Sequence, residues 1–288
     1  TICLIVVGVD PRLALILGGI APATAPAATY DVVKEIGASG EFTDCLLGVV
    51  AVDDAAGLLL FTFALAGASL LNGDGTILAT IGSGLLELGG SALIGLLLGV
   101  PMAYITGRIQ EGEPTQAEAL GLVLLCAGLA LHLGVSPILS SMVMGATVAS
   151  FAKHHTRPFH AIEGFEWPCM IFFFVLAGAS LELSALTTLG VVGGAYVLAR
   201  GVGTWLGISV IGRLKGLDSQ LRHWLAPALL PQAGVALGMA LLASQRFPDL
   251  AHSILTVVLA ATVLLEIIAP FITRRVLVRV GATARSGS

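Results

Sequence analysis

Two adjacent carboxylates, Asp53 and Asp54, stand in the middle of the apolar run Leu46-Leu47-Gly48-Val49-Val50-Ala51-Val52-Asp53-Asp54-Ala55-Ala56-Gly57-Leu58-Leu59-Leu60-Phe61. Even lenient insertion scales put one Asp at a bilayer centre at about 2.5–3.5 kcal/mol, so an ionisable residue at that depth points to function. Carboxylate oxygens in such surroundings suit two tasks, holding a cation and taking up a proton. Consecutive helical residues point about 100° apart, so the pair cannot face one small pocket together. One can hold a cation in a cavity while the other pairs with a fixed charge across the bundle. Arg200 and Glu266 also fall mid-run. Arg200 stays protonated at any physiological pH and offers that fixed charge. Three carboxylates against one guanidinium sum to −2, a deficit that bound sodium or one to two protons relieve. A carboxylate occupied alternately by a metal ion and a proton is the minimal machinery of exchange.

Such groups need a scaffold within a bilayer, and the composition supplies one. Mean hydropathy is +0.97, 56% of residues are hydrophobic and only 11% are charged, against about 25% charged in soluble domains. This is an all-α polytopic membrane protein: the apolar runs are near twenty residues long, whereas barrel strands would be about ten with alternation. The 36 glycines suit helices that pack closely through small residues. Reading in order gives a partial span at 1–8, then spans at 12–33, 44–71, 77–107, 116–133, 137–152, 166–183, 185–212, 223–244 and 251–273, nine complete ones. The apolar start without Met or a basic leader reads as the tail of a helix, so the chain is expected to be N-terminally truncated.

Two of these spans carry prolines four apart, Pro22/Pro26 and Pro227/Pro231. Proline lacks an N–H and breaks a helix, and a break at membrane depth is tolerated only where protein buries it or it lines a cavity. Discontinuous helices in corresponding positions of two halves point to a transporter site. The backbone of Pro22, Ala23, Ala25 and Pro26, and of Pro231, Gln232 and Gly234, is therefore expected to shape it. The triplets 1–8/12–33/44–71 and 185–212/223–244/251–273 read as inverted repeats. The basic residues sort independently: Lys34, Arg108, Lys153, Arg157, Arg213, Lys215, Arg222, Arg274, Arg275, Arg279 and Arg285 fall on one side, against Arg12 and Arg246 on the other. By the positive-inside rule the C-terminus is cytoplasmic.

Other residues have plainer readings. Cys3, Cys45, Cys126 and Cys169 have no CxxC spacing and read as buried small hydrophobes. Thr24 and Gln232 are placed to satisfy backbone freed at the breaks or to bind the ion. Glu87 reads as interfacial, His154-His155 as a weak pH-sensor candidate, and Phe172-Phe173-Phe174 as apolar bulk.

The stretches Ala23-Thr24-Ala25-Pro26-Ala27-Ala28-Thr29, Leu47-Gly48-Val49-Val50-Ala51-Val52-Asp53-Asp54-Ala55, Phe172-Phe173-Phe174-Val175-Leu176-Ala177-Gly178 and Leu229-Leu230-Pro231-Gln232-Ala233-Gly234-Val235-Ala236 together resemble the monovalent cation:proton antiporter superfamily. The chain is similar to sodium/hydrogen exchangers of the NhaA, NapA and Kef types over essentially its whole length. The resemblance implies an inverted-repeat fold with two crossed discontinuous helices, and a homodimer. The core would take 1–71 and 184–280, a linker helix 72–107, the dimerisation helices 108–183 and a cytoplasmic tail 281–288. It implies Asp54 as the ion-binding aspartate, for Na⁺ or K⁺, and Asp53 as the position that sets stoichiometry. Arg200, with Gly203 three later, matches a basic position that is Lys in NapA-like members. An arginine does not release its proton readily, so the stoichiometry stays open.

The function expected is exchange of a monovalent cation, Na⁺ first with K⁺ or Li⁺ behind, for protons, by alternating access in a prokaryotic plasma membrane. No cofactor, nucleic acid or enzymatic role is expected. A sodium:organic-anion symporter fits the broken helices, but an acid pair beside a buried arginine favours proton coupling. An intramembrane aspartyl protease needs its aspartates on facing helices, which adjacent residues do not provide. A cation channel would need an acidic ring or filter loop.

Overall fold

In a bilayer every backbone polar group must find a partner inside the chain, which drives apolar sequence into helices. The computed structural model describes residues 1–73, 77–106, 115–152, 162, 164–165, 168–169, 171–172, 175, 183–232 and 234–282. Among them the helices are α1 (Ile2–Val6), α2 (Pro11–Ile20), α3 (Pro26–Glu35), α4 (Glu41–Leu71), α5 (Ile77–Thr106), α6 (Thr115–His132), α7 (Pro137–Phe151), α8 (Leu183–Leu214), α9 (Ser219–Ala228), α10 (Gly234–Arg246) and α11 (Ala251–Arg279). Among the described residues, four stretches are long and apolar enough to cross a membrane: Glu41–Leu71, Gly84–Ile105, Gly190–Leu214 and Ala251–Arg279. Most of the expected span 166–183, with His154, His155, Phe173 and Phe174, lies outside the described residues.

The chain divides into two units, Thr1–Asp74 with Leu181–Ser288, and Gly75–Ser180. The helix of the expected 72–107 linker, α5, packs within the second unit against α6 and α7. There Ser91, Gly95 and Gly99 recur at one-turn spacing on α5. The Ser136 N–H donates to Ser91 Oγ at 3.1 Å. A Cβ added at Gly95 would lie 2.5 Å from the Ser140 carbonyl oxygen, and one at Gly99 2.7 Å from Thr147 Cβ. Only glycine lets these backbones approach so closely.

In the first unit the two ends are distinct. At one, Asp10 caps α2 by accepting from the Arg12 N–H at 2.7 Å. The Arg12 guanidinium pairs with Asp10 at 2.9 Å and Asp249 at 3.0 Å, and donates to Asn72 Oδ1 at 2.7 Å. That guanidinium holds the Asp10 carboxyl below its ordinary value. At the other end the Ser39 N–H donates to the Ala282 carbonyl at 2.7 Å. Val33, Phe42, Leu46, Leu225 and Leu277 form one apolar cluster there. These anchors fix directions. The pair α2–α3 runs from the Arg12 end to the cluster, and α9–α10 runs from the cluster back to the Asp249 end.

Both pairs stop close to their prolines, for different local reasons. α2 ends at Ile20, Ala25 is extended (φ −98°, ψ 100°), and Pro26 opens α3 at its first position, where its missing N–H costs nothing. In the second pair Pro227 sits inside α9 near its end, and the interruption falls later, around Pro231. The sequence expectation that Pro227 itself breaks the helix is corrected: a last-turn proline lets its helix run one residue further. Pro101 and Pro270 are likewise carried within α5 and α11.

Candidate functional site

The two interruptions meet. The Ala25 N–H donates to the Pro231 carbonyl at 2.9 Å, joining backbone from both. Each interruption leaves the carbonyl end of one half-helix, the negative end of its dipole, pointing into the interior. Arg200, on α8 and only 5% exposed, fills that space. Its Nε donates to the Ala21 carbonyl at 2.7 Å, Nη1 to Leu230, and Nη2 to Ala23 at 2.9 Å and Pro231 at 3.4 Å. A guanidinium has five N–H donors in a planar fork. Here the fork spans both interruptions and serves carbonyls of each.

This differs from the expected pairing of Arg200 with a carboxylate. No salt bridge joins Arg200 to Asp53, Asp54 or Glu266 among the described residues. Its donors are directed at four backbone carbonyls, and Asp53 feels the charge through space only. Glu266 lies on α11, half-buried, and its Oε2 is buried without a hydrogen-bond partner.

The acid pair is set by α4 against the first interruption. Gly57 on α4 faces the backbone of Ala23, whose N would stand 3.8 Å from an added Cβ. Asp53 and Asp54 precede Gly57 by four and three residues, one turn away on the side of the helix that faces the interruption. Asp53 lines a cavity of about 700 Å³ together with Thr24, Pro22, Tyr196 and Arg200. Thr24 Oγ1 stands near the Asp53 carboxylate without meeting it in hydrogen-bond geometry. Asp54 is not on that lining, and its Oδ1 is buried without a partner. Gln232, fully buried, donates from Nε2 to the Tyr196 hydroxyl at 2.9 Å, while its Oε1 has no partner. Several oxygen atoms of the expected site are thus buried and unsatisfied, a chemistry suited to an alkali cation or a proton.

Two supporting residues escape a reading of the sequence. Tyr196 is one turn before Arg200 on the same face of α8, a spacing that could have flagged it. Thr273 donates from Oγ1 to the Ala228 carbonyl at 3.1 Å, tying α11 to the end of α9; no local signal marks it.

A family model described as sodium/hydrogen exchanger, transmembrane, matches residues 1–279. Curated proteins give no match. Sixteen solved chains match. One of them, the sodium proton antiporter MjNhaP1 from Methanocaldococcus jannaschii, is similar with a TM-score of 0.67 at 20% identity, over 98% of this chain and 71% of that one. At that identity the likeness speaks to the fold, and the family model speaks to kinship. With that match running from the first residue through α11, the chain belongs to the sodium/hydrogen exchanger family, membrane-embedded cation:proton antiporters rather than enzymes.

Proposed function

We propose that the chain exchanges Na⁺ for protons by alternating access, with proton and cation competing at Asp54, and with K⁺ or Li⁺ as lesser substrates. The observation that carries this reading is the buried, partnerless Asp54 Oδ1 on a helix packed against interrupted backbone. A carboxylate oxygen at membrane depth needs a proton or a cation, and one site that takes either but not both couples their fluxes. Asp53, on the cavity lining with Thr24, provides the approach and sets how many protons move per cation. Arg200 is the static element: its charge offsets two helix C-termini and does not titrate.

The reading extends to architecture. The two interrupted helices are the crossed discontinuous pair of an inverted repeat. The Thr1–Asp74/Leu181–Ser288 unit is the ion-carrying core, and the other unit serves a homodimer. The basic ends of α8 and α11 face the cytoplasm in a prokaryotic plasma membrane, as the sorting of Lys and Arg supports.

The test uses everted vesicles or proteoliposomes with a trapped pH dye. Adding Na⁺ should move protons in the wild type, and Asp54→Asn should abolish the response. Asp53→Asn should retain a response while changing its dependence on a potassium/valinomycin clamp. No dye response to any alkali cation between about pH 6 and 9, the range in which an interior carboxylate titrates, would sink the proposal.

A further inference from the structure

We infer that the groove between α9 and the C-terminal half of α11 is a binding site for an anionic phospholipid, its phosphate held by Arg274, Arg275 and Arg279 and its upper acyl chain laid along the apolar wall. The groove has a volume of about 830 Å³; its apolar wall includes Trp224, Ile268 and Phe271, and all three arginines line it. Its location follows from length. α11 has 29 residues, about 43 Å at 1.5 Å per residue, against a hydrocarbon core of about 30 Å. The arginines cluster at its C-terminal end and so stand at headgroup level, while Ile267 and Phe271, 62% and 72% exposed, lie below them on an outward apolar strip.

The charge is available. Arg274 reaches Glu35 only at 3.8 Å with both side chains more than half exposed, Arg279 lies over the Trp224 ring at 4.8 Å, and Arg275 has no ion pair among the described residues. Three guanidiniums with one distant carboxylate leave an excess of positive charge that a phosphate diester would satisfy by forked hydrogen bonds. Trp224 has an apolar body and an N–H suited to that interface. A soluble phosphate would use the arginines alone. The continuous apolar wall beneath them commits the site to a lipid.

The experiment places the protein in nanodiscs, in a Trp167→Phe/Trp205→Phe background so that Trp224 alone reports. Brominated phosphatidylglycerol should quench Trp224 at roughly fivefold lower mole fraction than brominated phosphatidylcholine, the effect of one well-engaged basic residue. Arg274→Gln/Arg275→Gln/Arg279→Gln should erase the difference, while Arg213→Gln, on the same basic side, should leave it. Equal quenching by the two lipids overturns the inference. So does a loss as large from Arg213→Gln, which would mean general surface charge, or equal competition by soluble glycerol phosphate, which would mean the apolar wall plays no part.

Discussion

Arg200 either pairs with Asp53 or ties together the carbonyl ends of two interrupted helices, and a double-mutant cycle separates these roles. Arg200→Gln removes a guanidinium that donates to Ala21, Ala23, Leu230 and Pro231. At about 1.5–3 kcal/mol for each hydrogen bond to a charged group, the four sum to an upper bound of about 6–12 kcal/mol. Water entering through the adjoining cavity can satisfy some of these carbonyls. The expected loss is therefore about 3–5 kcal/mol, the usual range for breaking a buried charged contact, or roughly 10 °C in melting temperature. Arg200→Lys keeps the charge but loses the fork, and should lose at least one of the bonds, about 1.5–3 kcal/mol. Thermal unfolding in detergent, followed by tryptophan fluorescence, reads each variant. Combined with Asp53→Asn, the clamp predicts near-additivity, a coupling below about 1 kcal/mol. Restoration of Arg200→Gln stability by Asp53→Asn, with a coupling near 3 kcal/mol, would refute the carbonyl clamp and reinstate the ion pair.

Other substitutions probe the frame. Gly95→Leu forces a side chain into the Ser140 and Met144 backbone and should destabilise the second unit by about 1–3 kcal/mol, visible as a lower melting temperature. Gly48→Ala, where an added Cβ meets nothing within 4 Å, should be nearly neutral. Thr273→Val leaves the Ala228 carbonyl without its donor and should cost about 1–3 kcal/mol. Arg12→Gln should cost little stability, because its ion pairs are solvent-screened. It also carries a pH signature. Asp10 titrates below its ordinary value of 3.8 because of Arg12, so its contribution is complete above that value and is lost as pH falls through the lower folded-state value. Arg12→Gln should flatten the acid limb of the stability curve below about pH 4. An unchanged acid limb would count against that pairing.

The sequence by itself determined the class of the protein and the neighbourhood of its chemistry. Hydropathy and run length dictated membrane helices, because a bilayer offers backbone groups no other partners. Asp53-Asp54 and Pro22/Pro26 were legible because charge and proline are costly at membrane depth whatever surrounds them. What Arg200 does was not legible. Its charge implied an anionic partner, and a carboxylate was the natural candidate. Only tertiary structure brings Ala21, Ala23, Leu230 and Pro231 within reach of one fork, since carbonyls leave no mark in residue type. Tyr196 could be flagged by its one-turn spacing from Arg200, but its role depends on Gln232 from a distant segment. The place of Asp53 rather than Asp54 on the cavity lining likewise depends on how a helix is rotated against its neighbours. Residue costs are local and can be read along the chain; the partners that offset them are contributed by packing.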